Sequence, residues 1–262
     1  MGTPDWQDLT RFAIALARAS AVEILPWFRR NAEIDVKAGP VWDPVTEGDR
    51  AGERVIRKMI EERYPEHGIH GEEYGTKEGR SGFTWILDPV DGTRSFICGM
   101  PTWATLIGLN FEGKPVVGLM NQPFVGDMFY GNPNGAWLDH RGVSLAIRTR
   151  TGIDLSGATI GTTAPELYSG LGQRGFERLR KKARLTRYGG DAYFFAVMAA
   201  GHIDIAMDAN LQAYDIAPLL PIVTGAGGVY AEWTGGDAAK GGNVITAGSQ
   251  ALLDEALAVM RG

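Results

Sequence analysis

The sequence predicts a mixed α/β fold in two closely apposed subdomains, residues 1–148 and 149–262. Two patterns carry this. Up to about Arg150, two helix-length segments precede strand-length apolar runs joined by short glycine-containing turns, as in an antiparallel meander. Beyond Arg150, strand-length and helix-length segments alternate, which implies an α/β sheet. No internal repeat or low-complexity linker separates the halves, so they are expected to pack together rather than sit as beads on a string.

Leu9, Phe12, Ala13 and Leu16 recur at helical spacing after Thr3-Pro4-Asp5, predicting a helix from about Pro4 to Phe28. Asp49 to Arg63 sets Val55, Ile56, Met59 and Ile60 on one face and stops at Tyr64-Pro65. Strands are expected at Ile69-His70, Thr84–Leu87, Thr102–Phe111, Lys114–Gln122 and Asp127–Tyr130, with Glu112-Gly113 as one of the turns. In the second half the order is a strand at Thr159–Thr163, a helix at Gly172–Lys182, a strand at Arg184–Tyr188 and a helix at Ala192–Ala200. Ile203–Met207, Ile216–Gly225, Val229-Tyr230 and Asn243–Ala247 continue the alternation, and a helix at Ser249–Met260 closes the chain.

The 262 residues are 44% hydrophobic and 22% charged, ordinary for a globular enzyme with an ample core. A net charge of -5 with no basic block gives no footprint for nucleic acid. No apolar stretch reaches ~18 residues, and the N-terminus lacks a signal pattern, so no membrane partner and a cytoplasmic location are expected. The single cysteine, Cys98, excludes an internal disulfide and reads as a buried, inert thiol. His67 and His70 lack a cysteine partner and argue against zinc.

The chemistry concentrates in Trp85 to Phe96, where an apolar run ends in Asp88-Pro89-Val90-Asp91-Gly92-Thr93. Two carboxylates at a stiffened turn suit a hard divalent cation, and magnesium usually binds one or two carboxylates plus substrate phosphate. Other acids fall at Asp43 and Asp49, at Glu72-Glu73, and at Asp208 and Asp215. Each has a plain reading: Asp49 as a helix cap or first-turn charge, Glu72-Glu73 as a solvated turn, Asp215 as a cap.

Taken together, Val45-Thr46 with Asp49, Gly71-Glu72-Glu73, Asp88 to Thr93, and Tyr214-Asp215 followed by Gly225-Ala226-Gly227-Gly228 resemble, in order and over nearly the whole chain, the inositol monophosphatase-like, magnesium-dependent phosphatases. The resemblance implies a sugar-phosphatase-like layered αβαβα sandwich. Its sheet would be antiparallel in the N-terminal half and mostly parallel or mixed in the C-terminal half. It also implies Glu72, Asp88 and the Val90 carbonyl as ligands of one Mg2+, and Asp88, Asp91 and Asp215 as ligands of a second, with a third, weaker ion near Glu72. Asp49 and Thr93 resemble the pair that orients and deprotonates the attacking water. Gly92, Thr93 and Arg94 are expected to start a short helix whose N–H groups hold phosphate. Members are often homodimers.

Arg94-Ser95-Phe96-Ile97, Gly189-Gly190-Asp191-Ala192-Tyr193, and Asp208 with Tyr214 depart from the inositol phosphatase pattern and resemble histidinol-phosphate phosphatases. Histidinol phosphate carries an ammonium and an imidazole, which Asp191 and Asp208 could pair. Asp191 also has a plain reading as the N-cap of the helix at Ala192–Ala200, and one role does not exclude the other. Arg94 and Tyr193 complete the expected substrate contacts. Of Tyr193, Phe194 and Phe195, most read as core and Tyr193 as the exposed one. No Lys or Arg lies between Asp191 and Tyr214, which weighs against a bisphosphorylated substrate, although Arg187 is near in sequence. The alternatives are an inositol-1-phosphate phosphatase and a catalytically inactive metal-binding regulatory protein. Val36 to Pro44 reads as a mobile lid or as a plain surface turn.

Overall fold

Asp5 opens the first helix: its carboxylate accepts the backbone N–H groups of Gln7 and Asp8, each at 3.0 Å. Helix α1 (Trp6–Ile24) then buries Leu9, Phe12, Ala13, Leu16 and Ala17 along one stripe. Helix α2 (Glu47–Arg63) starts from a capping box between Thr46 and Asp49 and buries Ile56 and Ile60. The computed structural model describes residues 4–30, 35–36 and 44–262; Asp43 and residues 37–43 of the expected lid lie outside them.

Between these helices, β1 (Asp35–Val36) and β2 (Pro44–Val45) form a two-stranded ladder. The large sheet comprises β3 (Gly68–Gly71), β4 (Gly75–Lys77), β5 (Phe83–Asp91), β6 (Ala104–Phe111), β7 (Lys114–Gln122), β8 (Asp127–Asn132), β9 (Gly135–His140) and β10 (Val143–Ala146). Its order is β10-β9-β8-β7-β6-β5-β3-β4, and only β3 and β5 pair in parallel. The sheet is therefore mixed at one edge rather than wholly antiparallel. Strands β4, β9 and β10 were not expected: β10 is exposed at all four positions, so it offers no alternation to read.

The second sheet collects β11 (Thr159–Thr162), β12 (Leu185–Tyr188), β13 (Ile205–Leu211), β14 (Val229–Glu232) and β15 (Gly242–Ala247) in the order β12-β11-β13-β15-β14. β11 is parallel to β12 and β13, whereas β15 is antiparallel to β13 and β14. The helices of this half are α4 (Gly170–Lys182), α5 (Ala192–Ala199), α6 (Ala213–Ile216), α7 (Leu220–Gly225) and α8 (Gln250–Arg261); α3 (Thr93–Ile97) follows β5 in the first half. None of these helices is long and apolar enough to cross a membrane among the described residues.

The layers follow the expected αβαβα order, and each interface is a core. Phe12, Leu16, Ile56 and Ile60 of α1 and α2 meet Trp85, Leu87, Ile107 and Leu119 on the outer face of the large sheet. Its inner face offers Leu106, Met120 and Phe129 to Phe195, Ile222 and Val223 of α5 and α7, which also touch Ala206 and Val244 of the second sheet. Phe176 of α4 and Leu252, Leu253 and Ala256 of α8 cover the far side. Gly108, Gly118 and Gly131 stand side by side across β6, β7 and β8. Any Cβ there would run into the backbone or ring atoms of Pro218, Pro221 and Ile222, so this row lets the α6–α7 link lie flat on the sheet. Asp215 lies in α6, directly before that link.

Candidate active site

Alternate strand residues point to opposite faces, so Asp88 and Asp91, three apart, would diverge in a regular strand. The pairing of β5 with β6 shifts between them, from Asp88↔Leu106 to Asp91↔Ala104, so three steps on one strand match two on the other. This bulge turns both carboxylates to one side. Strand β13 does the same opposite β15, from Asp208↔Val244 to Leu211↔Gly242. The two irregular strand ends line one cavity of about 260 Å³, with Glu72, Asp88, Val90, Asp91, Gly92, Thr93, Arg94, Asp191, Asp208 and Asp215 in its wall.

Asp88, Asp91 and Asp215 each place a carboxylate oxygen within 4.8 Å of the others. Burial, and then the charges of Glu72, Asp91 and Asp215, hold the Asp88 carboxyl well above its usual range. Asp91 is raised likewise, by burial first and then by Asp191 and Asp215. Carboxylates that discourage each other's ionisation in an all-oxygen cluster fit a hard divalent cation, whose charge reverses that cost. Asp215 sits in the first turn of α6 and accepts the Gln212 N–H at 2.7 Å, so it caps its own helix and faces the cavity too. The Val90 N–H donates to Asp88 at 3.0 Å, and the Val90 carbonyl accepts the Thr93 hydroxyl at 3.1 Å. That carbonyl has a second lone pair.

Asp49 and Thr93 are not bonded as a pair. Asp49 Oδ2 accepts the Thr46 hydroxyl at 2.5 Å and the Thr46 N–H at 2.9 Å, and Asp49 does not line the cavity. Burial lifts its pKa to about 7, against the lowering effect of both Thr46 bonds. Thr46, quoted in the motif without a role, is thus what orients Asp49. Glu53, not singled out in the sequence, is fully buried on α2. It pairs with Arg57 at 2.6 Å and accepts the N–H groups of Glu73 at 2.8 Å and Tyr74 at 3.2 Å, which pins the turn after Glu72. An acid one turn beyond Asp49, at helical spacing with Ile56 and Ile60, was the available signal.

Asp191 occupies the N-cap position of α5, yet its side chain does not cap the helix. Its carboxylate accepts Ser95 Oγ at 2.5 Å and Thr102 Oγ1 at 3.4 Å. The N–H of Ala192 goes to Asp91 Oδ2 instead. Asp191 also has φ 45°, a conformation uncommon for a side-chain-bearing residue. Gly92 makes room for it, since a Cβ there would stand 2.9 Å from Asp191 Cγ. Burial raises the Asp191 carboxyl, opposed by Ser95, Thr102 and Arg94. Asp208 is buried and already engaged by Thr162 Oγ1, Thr163 N and Thr163 Oγ1 at 2.7–2.8 Å. Its pKa is pushed up to about 6 by burial despite those bonds.

Tyr193 departs from the expected substrate contact. Its hydroxyl donates to Asp127, its ring packs edge-on to Phe129, and it does not line the cavity. Phe195 does. Helical spacing is the reason: Phe195 shares a side of α5 with Asp191 and Ala192, whereas Tyr193 is turned away from them. Cys98 is exposed rather than buried, because α3 ends one residue before it and Phe96 takes the inward position. Arg187 is exposed and not in the cavity wall. His67 and His70 are bonded to Trp85 and Thr76. Thr163, Leu167 and Asn210, which line the cavity, had no sequence signal beyond lying near strand ends.

A layered αβαβα fold with a carboxylate cluster on β5 and α6 that could hold a divalent cation is the architecture of a phosphomonoesterase. The chain belongs to the inositol monophosphatase family, whose profile matches residues 5–261. It is 36% identical to the bifunctional phosphatase IMPL2 of Arabidopsis thaliana, over 95% of this chain and 75% of that one. With the histidinol-phosphatase of Chlorobaculum parvum it shares 32% identity, over 95% and 94% of the two chains. Among solved structures, the inositol monophosphatase from Zymomonas mobilis superposes with a TM-score of 0.87 at 36% identity, covering 99% of this chain and 100% of that one.

Proposed function

We propose that this phosphatase hydrolyses histidinol phosphate to histidinol and inorganic phosphate, a step of histidine biosynthesis, with two or three Mg2+ ions in the site. Glu72, Asp88 and the Val90 carbonyl would hold one ion, and Asp88, Asp91 and Asp215 the second. Bound magnesium would lower the pKa of water and neutralise charge on the phosphate and the leaving oxygen. Asp49, steered by Thr46, and Thr93 would orient the water and take its proton. Gly92, Thr93 and Arg94 would hold phosphate oxygens. Residues 1–148 would thus supply most of the metal end, and residues 149–262 would complete the site, with Asp215 at the metals and Asp191 and Asp208 at the substrate.

The acidity of the wall carries the choice of substrate. Asp191 and Asp208 both line the cavity, where Arg94 is the only cationic side chain among the described lining residues. Such a wall favours an alcohol bearing its own ammonium, while a neutral polyol gains nothing from the charge. The volume lies below the ~300–1,000 Å³ of sites for larger ligands, which suits a small monoester. The alternative, inositol-1-phosphate, is supported by the 36% identity to the Zymomonas mobilis inositol monophosphatase, against 32% to the Chlorobaculum parvum histidinol-phosphatase.

Phosphate release from the two esters at equal concentration is the test. Histidinol phosphate should be hydrolysed faster; equal or slower release would overturn the reading, and none from any monoester would favour an inactive metal-binding protein. Asp191→Asn should raise KM for histidinol phosphate by about 10–100-fold, the loss of one hydrogen bond to a charged group. Asp88→Asn should abolish the Mg2+-dependent rise in melting temperature, which for the unaltered protein corresponds to about 2.7 kcal/mol at a hundred times Kd.

A further inference from the structure

Four consecutive residues, Asp208, Ala209, Asn210 and Leu211, line the cavity. A regular strand cannot do this, because neighbours point to opposite faces. The bulge in β13 makes it possible, and its unusual residue is Asn210, with φ 61° in the left-handed region. Asparagine tolerates that region better than most side-chain-bearing residues. Its backbone N–H is met by Asn243 Oδ1 at 3.3 Å, and its amide Nδ2 donates to the Leu167 carbonyl at 3.1 Å. Leu167 ends the 3-10 turn Pro165–Leu167 and is itself part of the cavity wall. One side chain therefore joins two segments of that wall, 43 residues apart in the chain.

We infer that Asn210 is a positioning residue for substrate selection. Its left-handed backbone turns the end of β13 along the cavity, and its amide ties the Leu167 turn in place, so that together they shape the wall met by the alcohol part of the ester. The inference rests on the phosphomonoesterase site and not on which alcohol it accepts. Asp88, Asp91 and the Gly92–Arg94 turn stand on β5 and α3, away from the Asn210 amide, so phosphate binding at that end should not depend on the tie to Leu167.

Glycine and alanine separate the two contributions. Asn210→Gly keeps the left-handed backbone at no steric cost and removes the amide tie; Asn210→Ala removes the tie and adds backbone strain. Both variants should raise KM by about 3–10-fold, the worth of one hydrogen bond, with kcat within about twofold. Competitive inhibition by inorganic phosphate, which needs only the phosphate end, should not change. Asn210→Ala should melt at a lower temperature than Asn210→Gly, by the added backbone strain. KM, kcat and phosphate inhibition are measured with histidinol phosphate and with inositol-1-phosphate, and read on whichever ester the unaltered enzyme prefers. Preference for inositol-1-phosphate would sink the histidinol reading alone. An unchanged KM in Asn210→Gly, or equal losses in KM, kcat and phosphate inhibition, would overturn the role of Asn210.

Discussion

Asp91 Oδ2 accepts the backbone N–H of Ala192 at 2.9 Å, so a carboxylate at the end of β5 caps a helix that begins 101 residues later. The N-cap residue of that helix, Asp191, sends its own carboxylate to Ser95 and Thr102, back across the same junction. Asp91 thus caps α5 in place of that helix's own N-cap residue, while Asp191 holds two hydroxyls of the first half. Each half of the chain holds an acid of the site in place for the other.

Substitution of Asp91 should therefore have two separable effects. Asp91→Asn keeps an oxygen that can accept the Ala192 N–H, whereas Asp91→Ala removes it. In chelator, with no bound ion to confuse the comparison, Asp91→Ala should be less stable than Asp91→Asn by about 1 kcal/mol, the usual worth of a cap. Thermal melts of the two variants measure this. Identical melting curves would show that the bond contributes nothing.

Glu53 should matter to both stability and the metal end. Removing one partner of a buried ion pair typically costs about 3–5 kcal/mol, and Glu53→Ala also strands the N–H groups of Glu73 and Tyr74. Glu53→Gln, which preserves size, should lose less stability. In that variant Mg2+ affinity should still fall on the order of 10–100-fold, because the turn that follows Glu72 loosens. Calorimetric titration of the folded Glu53→Gln protein checks this, and unchanged affinity would count against a positioning role.

The pH dependence of stability should show a signature of His67. The Trp85 indole N–H donates to its Nδ1 at 3.1 Å, and Tyr64 and Phe83 stack on its ring at 4.5 and 4.9 Å. Burial lowers its pKa to about 4. As pH falls from about 6.5, the unfolded chain binds this proton first, so its protonation favours unfolding. Stability from this group is fully present above about 6.5 and declines down to about 4, by about 3 kcal/mol at most. NMR titration of the His67 ring should give a midpoint near 4, and His67→Phe should flatten stability across that range. A midpoint near 6.5 would refute the assignment.

The first two helices were legible because their apolar residues recur every three or four positions and their caps are local: Asp5 with Gln7 and Asp8, Thr46 with Asp49. The central strands β6 and β7 were legible because they are long and largely buried. Edge strands such as β10 were not, since exposure on every side erases the alternation. Within the site, Asp88, Asp91, Glu72 and Asp215 stood out by their motifs, and all four line the cavity. That Phe195 and not Tyr193 lines the cavity was not legible, because a short helix with apolar residues all round leaves its facing side unmarked.

The sequence alone determined which chemical groups the chain possesses and in what order: an oxygen-only donor set, hydroxyls beside carboxylates, and glycines where backbones must approach. Tertiary structure decided which of these groups meet. Two bulges turn strand ends toward one cavity, Asp91 caps a distant helix, Thr46 takes Asp49, and Asn210 reaches Leu167. The physical reason lies in range. Periodicity and capping act over three or four residues, whereas contacts across 43 or 101 residues depend on sheet register and layer packing, which no local pattern states.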